Sequence, residues 1–256
     1  MAVREIETSE DAILAGRLVL RQPLRGHRVG HDALLLAAAV AITAREHAVD
    51  LGSGVGAAGL ALARRVDGVS VSLVEIDQEL AALAAANAER NGLGDRVRAI
   101  CLDVGAPAAA FTAAGLPPGC AAQVLMNPPF NVAQHNPSPD RDRRTAHVGS
   151  PQTLREWLHA ATQLLGPHGV VTLIWRADGL ADVLAALARD FGAVSILPVY
   201  PKPGAPAIRV LVCAVKASRA PLTLRPGLVL AEADGTPTAQ AEALLRENSA
   251  LSMNGN

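Results

Sequence analysis

The tetrapeptide Asn127-Pro128-Pro129-Phe130 is the stretch of this sequence best suited to chemistry. It ends an apolar run, Ala121 to Met126, that reads as a strand. Two consecutive prolines hold the backbone extended and remove two N–H donors. What remains is a set of acceptors, the Asn127 side-chain carbonyl and the Pro128 main-chain carbonyl. Two acceptors suit a planar NH2 group, which has two hydrogens to give. Phe130 adds a flat face on which a ring can stack. Taken alone, the motif reads equally well as a proline turn, and its neighbours must decide.

Those neighbours are acids and glycines at the ends of three earlier strand-like runs. Asp50-Leu51-Gly52-Ser53-Gly54-Val55-Gly56 lies between a strand and a helix. Its glycines allow a sharp turn and let a ligand lie against bare peptide groups, although a structural turn would use them too. A dinucleotide site uses GxGxxG with phosphate packed at the helix N-terminus. Here the spacing is GxGxG and an acid stands before the first glycine, which would repel phosphate and attract an ammonium or a sulfonium. Glu75, in Val74-Glu75-Ile76-Asp77, can accept from both hydroxyls of a ribose, while Asp77 is placed to cap the next helix. Asp103 closes the third strand and has two readings, an acceptor for an adenine amino group or a turn aspartate.

DLGSGVG, the acid in VEID, Asp103 and NPPF resemble the motifs of class I S-adenosylmethionine-dependent methyltransferases. NPPF in particular resembles the signature of enzymes that methylate amino nitrogens of adenine, cytosine or glutamine. The resemblance implies S-adenosyl-L-methionine as cofactor, held by Asp50, Gly52, Gly54, Gly56, Glu75, Asp103 and Asn127. It implies a catalytic part for Asn127, Pro128, Pro129 and Phe130, and a seven-stranded sheet whose last strand is antiparallel. A narrower resemblance rests on LRQPLRGHRVGHDALLLAA and YPKPGAPAIRVLV. These are similar to the bacterial family that methylates adenine N6 in a valine tRNA, which implies an RNA partner. The chain departs from that family in having Phe130 where Tyr is frequent, and in a tail after residue 217 that its compact members lack. A glutamine-N5 protein methyltransferase is the first alternative, disfavoured because only 49 residues precede Asp50 where those enzymes carry a sizeable helical domain. A non-catalytic scaffold that binds the same cofactor is the second, and the intact NPPF speaks against it.

These residues need a frame in which strand ends meet. Strand-like and helix-like runs alternate along the chain, which implies an α/β fold, a doubly wound Rossmann-like sheet. AVSILPVY and AIRVLVCAV are separated by a short Pro/Gly turn and so predict an antiparallel C-terminal hairpin at one edge. One domain over 1–256 is expected, with a strand-rich extension (1–31), a catalytic core (32–216) and a C-terminal appendage (217–256). Asp32 is a plausible N-cap for a helix through DALLLAAAVAITARE. Residues 104–120 read as a Pro/Gly/Ala loop, and 131–150 as a polar loop long enough to be functional.

Composition limits the partners. Aromatic residues are 2% of the chain, so Val, Leu, Ile and Ala must build the core, and Trp157 and Trp175 are expected within it. The net charge of −1 excludes a global positive field. RNA contacts would have to come from a local patch, with Arg28, His31, Arg141, Arg143 and Arg144 as candidates and Arg25 and His147 beside them. A solvated charged face is the alternative for the arginines. His27 and His31 stand four apart with no accompanying zinc-like ligand set, so no metal is expected. Cys101, Cys120 and Cys213 read as reduced thiols. The N-terminus lacks a signal-peptide layout and the longest apolar run is too short to span a bilayer, giving a cytoplasmic expectation and no membrane partner.

Overall fold

The computed structural model describes residues 7–25, 28–129 and 151–253. Its centre is a nine-stranded sheet rather than the seven-stranded one expected. The parallel half comprises β3 (His47–Leu51), β4 (Ser70–Glu75), β5 (Val97–Cys101), β6 (Ala121–Met126) and β7 (Leu165–Arg176). They lie in the order β7-β6-β3-β4-β5, so the order of successive strands, all parallel, reverses between β3 and β6. β8 (Phe191–Tyr200) and β9 (Arg209–Lys216) form the expected antiparallel hairpin, with β9 inserted between β7 and β8. The two extra strands are two-residue segments, β10 (Thr223–Leu224) and β11 (Leu228–Val229), that run parallel to β8 along its outer edge. The tail therefore covers an edge that would otherwise offer free backbone donors and acceptors.

Both faces of the sheet are buried, and the strand residues alternate between two apolar clusters. Ala48, Val71, Leu73 and Leu125 pack with α1 (His31–Ala39), α2 (Ala57–Arg65) and α3 (Gln78–Arg90). Val49, Leu51, Val74, Val124 and Met126 pack with α4 (Ala108–Ala113), α5 (Pro151–Leu164) and α6 (Leu180–Leu187). This two-sided burial is what near-continuous Val/Leu/Ile/Ala runs in parallel strands require.

Three local differences have physical causes. α1 begins one residue before Asp32, with Gly30 at the N-cap, because Asp32 is engaged elsewhere: its carboxylate takes the Arg209 guanidinium at 2.9 Å. The helix also stops at Ala39, where the β-branched Val40 turns extended. α4 sits within the segment expected as loop, where the alanines after Pro107 make one short helix with buried Phe111. The tail expected as an appendage contributes to the core. Thr238 caps α7 (Ala239–Leu245), the Leu251 N–H donates to the Ala38 carbonyl at 2.8 Å, and Leu244, Leu251 and Met253 are buried in the α1–α2 cluster.

Ahead of the sheet, β1 (Thr8–Ile13) and β2 (Leu18–Pro23) form a separate antiparallel hairpin. It is held to the α3 end of the domain by side chains.

Candidate active site

The site lies at the carboxyl ends of β6, β3, β4 and β5, where open α/β sheets place ligands at the point where strand order reverses. Leu51 pairs with Met126 on one side and with Val74 on the other. Continuing that register one residue brings Gly52 level with Asn127 and with Glu75, on strands about 4.8 Å apart.

Gly52 has φ +67°, and a Cβ there would overlap the six-membered ring of Trp157 on α5. Glycine is thus required twice, by conformation and by space. Trp157 was expected in the core, and it does pack there, but it also backs the turn. The turn continues with Ser53 N–H donating to the Val74 carbonyl (3.0 Å) and Gly56 N–H to the Ser53 carbonyl (2.9 Å), after which Gly56 opens α2.

Two carboxylates hold this turn in shape. The Asp50 side chain is 2% exposed and accepts the Gly59 N–H at 2.9 Å, from inside α2. Gly59 lies so close to Leu73 that a side chain there would collide, so the missing Cβ is what brings its N–H within reach. Burial pushes Asp50 up to about 7; the Gly59 hydrogen bond opposes that, and the charge of Glu75 adds to it. Glu75, 8% exposed, accepts Gly54 N–H at 2.8 Å through one oxygen and Asp77 N–H at 2.9 Å through the other. Each oxygen retains a lone-pair direction for a further donor. Asp77 caps α3 as expected, accepting from Glu79 and Leu80 N–H.

Asn127 stands at the reversal of strand order with its side-chain oxygen buried and without a hydrogen-bond partner among the described residues, and the Ser53 hydroxyl nearby is left in the same way. An unsatisfied buried acceptor costs about 1–3 kcal/mol. Polar atoms left open in this way, beside a glycine turn that presents bare backbone, mark a place built for a polar ligand. Pro128 is buried and Pro129 exposed.

The remaining candidates divide. Asp103, two residues past the end of β5, is exposed and accepts the Gly105 N–H at 2.8 Å, which is the turn-aspartate geometry. His31 is exposed at the first position of α1. Arg28 is partly engaged, with an ion pair to Asp11 at 2.7 Å. Arg25 is exposed. Phe130, Arg141, Arg143, Arg144 and His147, together with His27, lie outside the described residues. Among the described residues no group of three His, Cys, Asp or Glu side chains could hold a metal ion, and no helix is long and apolar enough to cross a membrane.

Residues 27–198, spanning the glycine turn, both acids and the Asn-Pro-Pro end of β6, match the family described as methyltransferase small domain. The chain belongs to that family. Several relatives carry the name tRNA1(Val) (adenine(37)-N6)-methyltransferase. That of Bacteroides fragilis (strain YCH46) is 30% identical over 187 residues, 72% of this chain and 76% of its own. That of Aeromonas hydrophila is also 30% identical over 187 residues, 72% of this chain and 75% of its own. A solved protein of Agrobacterium tumefaciens, described as a predicted O-methyltransferase, superposes with a TM-score of 0.75 at 32% identity, covering 88% of this chain and 100% of that one.

A methyltransferase of this family depends on S-adenosylmethionine. The residues present fit such a cofactor: a carboxylate with free lone pairs at the end of β4, a cradle of glycines at the end of β3, and the open Ser53 hydroxyl, with the Asn127 oxygen left over for a second molecule. Ser53 and Trp157 escaped the sequence reading. Ser53 could have been found as the one polar side chain between the glycines, whereas nothing local marked Trp157, which is 105 residues from Gly52.

Proposed function

We propose that this methyltransferase acts on an exocyclic amino nitrogen, and that its substrate is the N6 of an adenine in tRNA. The observation that carries the reading is the Asn127 carbonyl, buried at the reversal of strand order with no partner among the described residues and followed by two prolines that cannot donate. An amino group with two hydrogens satisfies such acceptors. A hydroxyl acceptor has one hydrogen and needs a base to take it, so the site suits nitrogen better than oxygen, although the Agrobacterium relative is described as an O-methyltransferase. The names of the Bacteroides and Aeromonas relatives supply the adenine and the tRNA.

The cofactor supplies an activated methyl group, so the protein needs no nucleophile of its own. Its residues bind and orient. Glu75 would take the ribose hydroxyls on its free lone pairs, and Gly52, Gly54 and Gly56 would offer backbone to the rest of the molecule. Asn127 and the Pro128 carbonyl would hold the amine and stabilise positive charge as it develops on nitrogen. Phe130 would stack on the base, which must first be splayed from its neighbours at a cost of a few kcal/mol.

The test is incubation of the purified protein with labelled S-adenosylmethionine and unmodified tRNA, followed by mass spectrometry of the nucleosides. N6-methyladenosine is the expected product. Label on a ribose hydroxyl would favour the oxygen reading, and label only on protein in a parallel extract would favour the glutamine one.

A further inference from the structure

Two asparagines stand one turn apart at the end of the alanine-rich α3, Asn87 within the helix and Asn91 at its C-cap. Both address the open edge of β2 in the same way. Asn91 accepts the Val19 N–H at 3.0 Å and donates to the Val19 carbonyl at 2.9 Å. Asn87 accepts the Arg21 N–H at 2.8 Å and donates to the Arg21 carbonyl at 3.0 Å. The two side chains thereby stand in for a neighbouring strand, pairing alternate residues of β2, and this docks the N-terminal hairpin on the domain.

The second amide hydrogens go to different places. That of Asn91 returns to its own helix, to the Asn87 carbonyl at 2.7 Å. That of Asn87, whose side chain is fully buried, crosses to the Val55 carbonyl at 3.0 Å. Val55 lies between Gly54, whose N–H is held by Glu75, and Gly56, which opens α2. Every hydrogen-bonding direction of Asn87 that points at backbone is used, and no shorter or differently shaped side chain can make all three bonds.

We propose that Asn87 is a positioning residue for the cofactor turn, fixing Val55 and mechanically joining that turn to the N-terminal hairpin. Glu75 restrains the turn from the sheet side and Asn87 from the helix side. Losing the second restraint frees the Val55 carbonyl to rotate and misaligns the Gly54 and Gly56 peptides. Asn91 is the internal control, since it also makes two bonds to the hairpin but sends its third to the helix instead of the turn. The inference rests on the glycine turn being the cofactor site.

Calorimetry with S-adenosylhomocysteine on the full chain provides the test. Asn87→Ala is expected to weaken binding tenfold or more, and Asn91→Ala by less than twofold, with both variants folded by circular dichroism. In turnover, the Asn87 variant should raise the KM for S-adenosylmethionine while kcat changes less than threefold. Equal affinities in the two asparagine variants would overturn the proposal. Glu75→Gln separates the underlying reading: if it also leaves affinity unchanged, the turn is not the cofactor site, whereas weakened binding in Glu75→Gln alone removes Asn87 only. Should the Asn87 variant not fold, hydrogen exchange on the unaltered protein gives the answer. Adding S-adenosylhomocysteine should protect the Arg21 amide, bonded to Asn87, more than the Val19 amide, bonded to Asn91, and equal protection of the two would refute the coupling.

Discussion

At the scale of single residues, the site separates groups that hold the protein from groups left open to a ligand. Asn127 is in the second class, since its oxygen has no partner to lose among the described residues. Asn127→Ala should therefore leave stability and cofactor affinity nearly intact and slow methyl transfer by about 10²-fold or more, as for a lost transition-state contact. Single-turnover kinetics beside calorimetry would reveal it, and normal turnover would reduce the motif to a turn. Asp50 belongs to the first class. Its carboxyl, raised to about 7 chiefly by burial, holds a proton in the folded chain that the unfolded chain has released above about pH 4. The stability this proton represents is full below pH 4 and is lost as pH rises toward 7. Asp50→Asn keeps an oxygen for Gly59 N–H and carries no charge, so its melting temperature should gain on that of the wild type between pH 4 and 7 and hold steady above. Melting curves that stay parallel across this window would contradict the raised value.

At the scale of elements, the sequence was legible wherever periodicity and burial agreed. The strands from β3 to β9 and the helices α2 and α3 follow from Val/Leu/Ile/Ala runs bounded by Gly, Asn and Asp, and Asp77 caps α3 where its position implied. The acids at 50, 75 and 103 do stand at or just past strand ends, but which of them faces a ligand depends on hydrogen bonds across 9 to 21 residues that no local pattern encodes. α4 was missed because Pro, Gly and Ala together signal a loop, and only the tertiary burial of Phe111 makes that segment a helix. The packing of the tail is illegible in the sequence for a similar reason. Its apolar residues are spaced too widely to show a periodicity, and they find the core one at a time. Leu251 is 7% exposed and its N–H is bonded to Ala38. Leu251→Ala should accordingly cost about 2–5 kcal/mol, the usual range for a buried leucine, where a loose attachment would lose almost nothing. A urea titration with unchanged slope and a lowered midpoint is the expected result.

At the scale of the whole molecule, the difficulty for a tRNA substrate is charge. The chain carries −1 overall, and the arginines flanking the site on the described side are partly neutralised, Arg28 by Asp11 and Arg209 by Asp32. The more exposed Arg28–Asp11 pair is worth about 0–1 kcal/mol, so a phosphate can displace the acid, whereas the Arg209–Asp32 pair is half-buried, and neither supplies much long-range attraction. Arg141, Arg143 and Arg144 follow the Asn-Pro-Pro segment closely in sequence, which makes them, with the exposed Arg25, candidates for a local positive field. If they contact phosphates, tRNA affinity should fall steeply with salt, because each contact releases counterions. Replacing Arg143 and Arg144 by Ala should then make the slope of log affinity against log salt shallower by about one unit per lost contact. Cofactor affinity should not change, since the glycine turn is held by Glu75 and Asp50 from within the sheet. Filter binding at four or five salt concentrations, with calorimetry on the same variant, measures both. A protein substrate or a free small amine predicts no such dependence on tRNA, so wild type and double variant binding tRNA equally at every salt concentration would move the substrate away from RNA while leaving the amine chemistry at Asn127 in place.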